Sequence, residues 1–253
     1  MELNYKEFGQ GDPIVILHGL FGTLDNWQTL AKKLAKEYTV YIIDQRNHGR
    51  SPHEDEFNYQ VMAEDLQVFK EDNWIHQARI IGHSMGGKTA MQFALDYPDM
   101  VEKLVVVDIA NQNYKGGHEI IFDALLNLDL EKLEGRKEAD SILSERIEEY
   151  GVRQFLLKNL TRNKSAGYRW KMNLPVIHKN YQAILNQIES EEVFEEATLF
   201  VKGSLSKYIT NDNFEYTKHF FPNAELKTIE NVGHWVHAEA PEKLLELLWE
   251  FLK

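Results

Sequence analysis

Apolar residues along this chain follow two alternating rhythms. Dense short runs at Pro13–Leu17, Thr39–Ile43, Ala78–Gly82 and Lys103–Asp108 have the length and composition of strands buried on both faces. Between them the spacing becomes helical. Asp25–Glu37 places Trp27, Leu30, Ala31, Leu34 and Ala35 on one face, Tyr59–Trp74 does so through Met62, Leu66 and Phe69, and Met85–Tyr97 runs until Pro98 stops it. Strand–helix alternation of this kind predicts a mostly parallel sheet flanked by helices. The rhythm breaks after Asp108. Residues 111–192 show no strand pattern but several amphipathic stretches, at His118–Leu128, Glu138–Tyr150 and Val176–Ile188. Alternation resumes with Thr198–Gly203, Asn211–Phe220, Glu225–Ile229 and Glu242–Leu252, the last opened by Pro241. The expected organisation is an α/β core made of residues 1–110 and 193–253, with an all-helical cap, 111–192, inserted after Asp108. Such a cap would cover the carboxyl ends of the strands, where open α/β sheets bind ligands.

Composition narrows the chemistry. The 253 residues are 43% hydrophobic, enough for one large core, and carry a formal net charge of -12. That charge disfavours nonspecific binding to nucleic acid. No apolar run approaches the ~20 residues that cross a bilayer. The first residues, Met-Glu-Leu-Asn-Tyr-Lys, lack the basic and apolar regions of a secretion signal. The expectation is a cytoplasmic monomer or small homo-oligomer, and Asn159-Leu-Thr and Asn163-Lys-Ser then match the glycosylation pattern by chance. With no cysteine, thiolate nucleophiles and Cys-based metal sites are excluded. The ten histidines form no His-Glu-x-x-His, and no cofactor is expected.

Three segments carry the chemistry. Gly82-His83-Ser84-Met85-Gly86 fits Gly-x-Ser-x-Gly between a strand and a helix, the setting in which a sharp turn exposes a nucleophilic serine at a helix N-terminus. His18-Gly19-Leu20-Phe21-Gly22 follows a strand, as an oxyanion-hole loop should, so the N–H groups of Leu20 and Met85 are the expected donors. Asn231-Val232-Gly233-His234-Trp235 lies on a loop after a late strand, where His234 can act as base to Ser84.

Together these segments resemble the α/β-hydrolase fold superfamily over essentially the whole chain. They are HGLFG at 18–22, DQRNHGRS at 44–51, GHSMGG at 82–87 and VGHW at 232–235. The resemblance puts the family's nucleophile on Ser84 and its histidine on His234. Asn47 and His48 depart from the family's Asp-x-Arg-Gly-x-Gly-x-Ser loop, whose Asp44 and Arg46 read as scaffold. The combination looks most like YbfF-type bacterial esterases and related ABHD-type hydrolases. It implies a serine esterase acting on a small-molecule ester or acyl thioester through an acyl-enzyme.

The acid departs from the usual pattern. Where the family places an aspartate after a Gly-x-x spacing, this chain reads Gly203-Ser204-Leu205-Ser206, and Ser206 cannot carry charge at neutral pH. Asp108, at the end of the preceding strand, is the expected substitute, as in the YbfF-like subgroup, with Ser206 supporting it and Asp212 as the fallback. A rival motif overlaps the serine: Gly82 to Thr89 also satisfies the P-loop pattern through Lys88, but a nucleotide hydrolase leaves His18 and His234 unexplained. A binding protein on the same fold leaves the Ser84/His234 pair unexplained. Phe21, Phe122, Trp170 and Trp235 are the expected pocket residues, among cap apolar residues that include Ile121, Leu125, Phe155 and Leu156. Arg162, Lys164, Arg169 and Lys171 form a basic cluster that reads as a solvated loop, or alternatively as a patch attracting an anionic leaving group such as coenzyme A.

Overall fold

The structure is a computed structural model and describes residues 1–164 and 166–253. The first half runs β1 (Tyr5–Phe8), β2 (Asp12–Leu17), α1 (Gln28–Leu34), β3 (Tyr38–Ile43), α2 (Tyr59–Asp72), β4 (Ala78–His83), α3 (Met85–Asp96) and β5 (Val101–Val107). Next come α4 (Glu119–Leu126), α5 (Arg136–Leu143), α6 (Tyr150–Leu157), β6 (Leu160–Arg162), β7 (Tyr168–Trp170), α7 (Leu174–Lys179) and α8 (Tyr181–Leu185). The chain closes with β8 (Thr198–Gly203), α9 (Asn211–Thr217), β9 (Ala224–Ile229), α10 (Val236–Glu239) and α11 (Pro241–Leu252).

Seven strands form one sheet in the order β1-β3-β2-β4-β5-β8-β9. Within this sheet β1 is antiparallel to β3, and the other five pairings are parallel. The strand period of two assigns residues to opposite faces. Ile14 and Ile16 pack with Leu30 and Leu34 of α1 and Leu244 and Leu248 of α11, while Val15 and Leu17 pack with Met62 and Leu66 of α2 and Met91 of α3. Both faces are therefore dry, as a parallel sheet requires. β1 is absent from the apolar pattern because Tyr5, Lys6 and Glu7 are exposed on an edge strand, where charge blocks further pairing.

The segment between β5 and β8 corrects one expectation. It is not all helical, because β6 and β7 pair as an antiparallel hairpin, Leu160 opposite Trp170 and Arg162 opposite Tyr168. Three-residue strands with polar positions such as Thr161 and Arg169 leave no apolar run to detect. The expected helix Val176–Ile188 is two, broken at Asn180, and α6 was not expected at all. The Asn163-Lys164-Ser165 tripeptide ends on Ser165, which lies outside the described residues.

The two ends of this segment are tied together and to the core. Tyr114 N–H donates to Leu185 O at 2.9 Å, and Asn111 exchanges two hydrogen bonds with Ile188, at 3.1 and 2.7 Å. Lys88 is fully buried on α3 and donates to Gln112 O at 2.9 Å and Asn186 O at 2.6 Å. Farther out, Asn159 Nδ2 donates to Phe21 O at 2.7 Å. The apolar interior of the segment, with Phe122, Leu125, Leu156 and Ile177, is continuous with the core on the α2–α3 face.

Candidate active site

β4 passes into α3 through Ser84, whose φ of 53° and ψ of -119° lie where L-residues are strained. The turn is possible because two neighbours lack side chains. A Cβ on Gly82 would stand 2.1 Å from Gly86 O, and one on Gly86 would stand 2.5 Å from the carbonyls of Leu17 and His18. Ser84 N–H donates to Val107 O at 3.0 Å, which fixes the turn to the neighbouring strand. Met85 opens a 12-residue helix, so its N–H has no partner within the helix and the positive end of the helix dipole faces the serine.

His234 stands between Ser84 and Asp108. Its Nε2 is 3.0 Å from Ser84 Oγ, and its Nδ1 is 2.7 Å from Asp108 Oδ2. The carboxylate can only accept, so Nδ1 carries the proton, and Nε2 is left to accept from the serine hydroxyl. Asp108 is fully buried with a φ of 55°, and its other oxygen accepts from Gly203 N–H at 3.2 Å. Ser206 Oγ also donates to Asp108 Oδ2. Three donors therefore fix the carboxylate in place: His234 Nδ1 and Ser206 Oγ on one oxygen and Gly203 N–H on the other. Asp212 is exposed in the first turn of α9 and takes no hydrogen bond from His234.

The histidine loop has its own supports. Glu239, on α10, accepts from Gly233 N–H at 2.7 Å and from Trp235 N–H at 3.0 Å, gripping the backbone on both sides of His234. Tyr208 stacks on the His234 ring at 4.1 Å. His83 Nε2 donates to His234 O at 3.0 Å. Burial pushes the His83 pKa well below the usual imidazole range and takes His237 down to about 3, so both stay neutral beside His234.

The first loop lies against this turn. A Cβ on Gly19 would meet His83 Nδ1 at 2.9 Å, so only glycine lets the loop approach. His18 accepts from Gln45 N–H at 3.1 Å and its pKa is lowered by burial to about 4. Asp44 accepts from the N–H of Leu24 at 2.8 Å and of Arg50 at 2.9 Å, and Arg46 pairs with Asp65 at 2.5 and 2.9 Å. Asp44 and Arg46 therefore hold loops and lie outside the reacting groups.

Open space meets Ser84 on two sides. A narrow lobe of about 50 Å³ is lined by Phe21, Ile121, Val152, Phe155 and Trp235, among others. A wide lobe of about 510 Å³ is lined by Tyr59, Met85, Ile109, Tyr181, Ile184 and Tyr208, with Lys115 and Lys207 also on its wall. That volume suits a small organic ligand. Phe21 and Trp235 thus line the site, but Phe122 and Trp170 line neither lobe. Phe122 is packed against Phe21, His178 and Tyr181, and Trp170 Nε1 donates to Leu125 O at 3.3 Å. Their rings fill the interior of the segment itself. The basic cluster of Arg162, Lys164, Arg169 and Lys171 lies on and beside the β6–β7 hairpin and also lines neither lobe. Lys88, the P-loop lysine of the rival motif, is spent on backbone carbonyls inside the fold. Among the described residues no three metal-binding side chains stand together, and no helix is long and apolar enough to cross a membrane.

Sequence spacing did not point to His118, Tyr181, Tyr208 or Glu239. His118 and Tyr181 lie in the expected helical stretches His118–Leu128 and Val176–Ile188, where periodicity does not say which residue meets the cavity, and Tyr208 lies in a loop. Glu239 follows His234 by five residues, and that closeness in sequence is its one signal.

The chain's likeness to known proteins bears on its family and fold. The family model for the α/β hydrolase fold matches residues 12–241. The chain is 36% identical over 241 residues to the esterase YbfF of Escherichia coli, covering 95% of this chain and 92% of that protein. It is 37% identical over 264 residues to the sn-1-specific diacylglycerol lipase ABHD11 of Danio rerio, covering 100% of this chain and 83% of that one. A solved structure described as a marine microorganism esterase superposes with a TM-score of 0.97 at 43% identity, covering 99% of both chains.

Proposed function

The chain belongs to the α/β-hydrolase family as an enzyme of its esterase/lipase type, and on that premise we propose that it hydrolyses carboxylic esters through an acyl-enzyme on Ser84. The reading rests above all on the hydrogen-bonded series Asp108–His234–Ser84, at 2.7 and 3.0 Å, ending on a strained serine at the head of α3. Ser84 Oγ attacks the carbonyl carbon as His234 Nε2 takes its proton. The N–H groups of Leu20 and Met85 receive the oxyanion. Collapse breaks the carbon–oxygen bond, and the imidazolium returns the proton to the leaving alcohol. A water, deprotonated by His234, then releases the acid and restores the serine. The same steps serve an acyl thioester, with a thiol leaving.

Asp108 stabilises the imidazolium, and Ser206 keeps that carboxylate oriented. Residues 111–192 act as the cap that encloses the two lobes and excludes water. The test is kcat/KM for p-nitrophenyl esters and acyl-coenzyme A thioesters over a range of chain lengths. Ser84→Ala should fold normally and lose several orders of magnitude on every substrate that wild type turns over. Retained turnover in that variant would remove Ser84 from the reaction.

A further inference from the structure

Among the described residues, only three line both the narrow and the wide lobe: Leu20, Ser84 and His118. The first two are the proposed oxyanion donor and nucleophile. His118 comes from outside the sheet, at the N-terminus of α4, and lines both lobes. Its ring is set edge-on to Phe21 at 5.8 Å and to Tyr181 at 5.6 Å. Nδ1 lies 2.6 Å from the Tyr181 hydroxyl. Among the described residues that hydroxyl has no other acceptor, so it donates to Nδ1 and leaves the ring proton on Nε2. Among the described residues Nε2 has no hydrogen-bond partner, yet it is not among the side-chain atoms sealed from open space.

We propose, on the reading of Ser84 as nucleophile, that His118 binds substrate: its Nε2–H donates to an oxygen on the acyl group close to the scissile carbonyl. The enzyme therefore favours acyl groups bearing an ether, keto or hydroxyl oxygen near the carbonyl over plain alkyl ones. The surroundings make that preference strong. The lobe walls include Phe21, Ile121 and Val152 on the narrow side and Ile109 and Ile184 on the wide side, side chains that offer an alkyl chain contact but no acceptor. An alkyl group seated there strips water from the donor and leaves it unpaired, whereas an acceptor oxygen satisfies it. Burial, with the nearby His234, holds His118 down to about 4, so the donor is a neutral imidazole at working pH.

Two esters of equal length separate this role from packing. p-Nitrophenyl methoxyacetate is p-nitrophenyl butyrate with one methylene replaced by oxygen, and the leaving group is the same. In His118→Phe, which keeps the ring and removes the donor, the methoxyacetate-to-butyrate ratio of kcat/KM should fall roughly tenfold from its wild-type value. Intrinsic reactivity cancels in that comparison. Tyr181→Phe, which frees the tautomer but keeps the imidazole, should lower the ratio part of the way. If His118→Phe slows both esters in the same proportion, or leaves the ratio unchanged, His118 only packs the wall and the proposal is wrong. Ser84→Ala, measured alongside, tests the underlying reading separately, because retained turnover there would overturn the nucleophile whatever the ratio does.

Discussion

At the scale of single residues, the acid is the member whose assignment discriminates most. Asp108 is sealed from water and shares one oxygen between His234 and Ser206, while Asp212 sits exposed on another helix. A buried aspartate of this kind contributes about 10⁴ in turnover by stabilising imidazolium. Asp108→Asn should therefore be about as damaging as His234→Ala, and Asp212→Asn near wild type, in kcat/KM for a p-nitrophenyl ester. Ser206→Ala removes one donor to the carboxylate and should lose roughly tenfold. Glu239 holds the backbone rather than the reacting atoms. Glu239→Ala should lower kcat while leaving KM close to wild type, and Glu239→Gln, which keeps an acceptor oxygen, should recover part of the loss. An equal effect of both substitutions would place the role of Glu239 elsewhere.

At the scale of elements, legibility in the sequence followed burial. The inner parallel strands β2, β3, β4, β5 and β8 and the helices that cover them were readable because two-sided burial produces dense apolar runs with sharp ends, while β9, half exposed at the sheet edge, was readable from its place in the strand–helix alternation. The elbow was readable for a different reason: only glycine fits at 82 and 86, so sterics write the motif into the chain. The β6–β7 hairpin and edge strand β1 carry polar residues at solvent-facing positions and left no such trace. Lining residues of the segment between β5 and β8 were the hardest to read. A helix face toward its own core and one toward a cavity are both apolar, and so Phe122 and Trp170 were expected in the pocket. Their packing changes the prediction. Phe122→Ala should destabilise the protein by about 3–5 kcal/mol in urea unfolding and slow all chain lengths alike. Phe155→Ala, on the narrow lobe, should instead change relative rates along an acyl series. The reverse pattern would return Phe122 to the pocket.

At the scale of the whole molecule, buried histidines link the fold to pH. Burial holds His18 at about 4, His48 at about 3 and His237 at about 3, and pushes His83 well below its usual range. In the unfolded chain each titrates near 6.5. Between about pH 6.5 and 4 the unfolded state binds more protons than the native one, so stability falls as pH falls. Each group contributes at most about 1.4 kcal/mol per pH unit in that window. Melting temperature should decline steadily from pH 6.5 downward, before carboxylates titrate. A melting temperature that stays flat to pH 5 would mean that these imidazoles accept protons in the native state.

The central claim is that the reaction passes through a covalent bond to Ser84. Its most direct measurement is treatment of the wild-type protein with a fluorophosphonate, followed by peptide mass mapping of the adduct. The account predicts one phosphonyl group per chain, on the peptide bearing Gly82-His83-Ser84-Met85-Gly86 and on Ser84 itself, with loss of ester hydrolysis in step with labelling. An adduct on another residue, or full hydrolysis by a fully labelled protein, would contradict it.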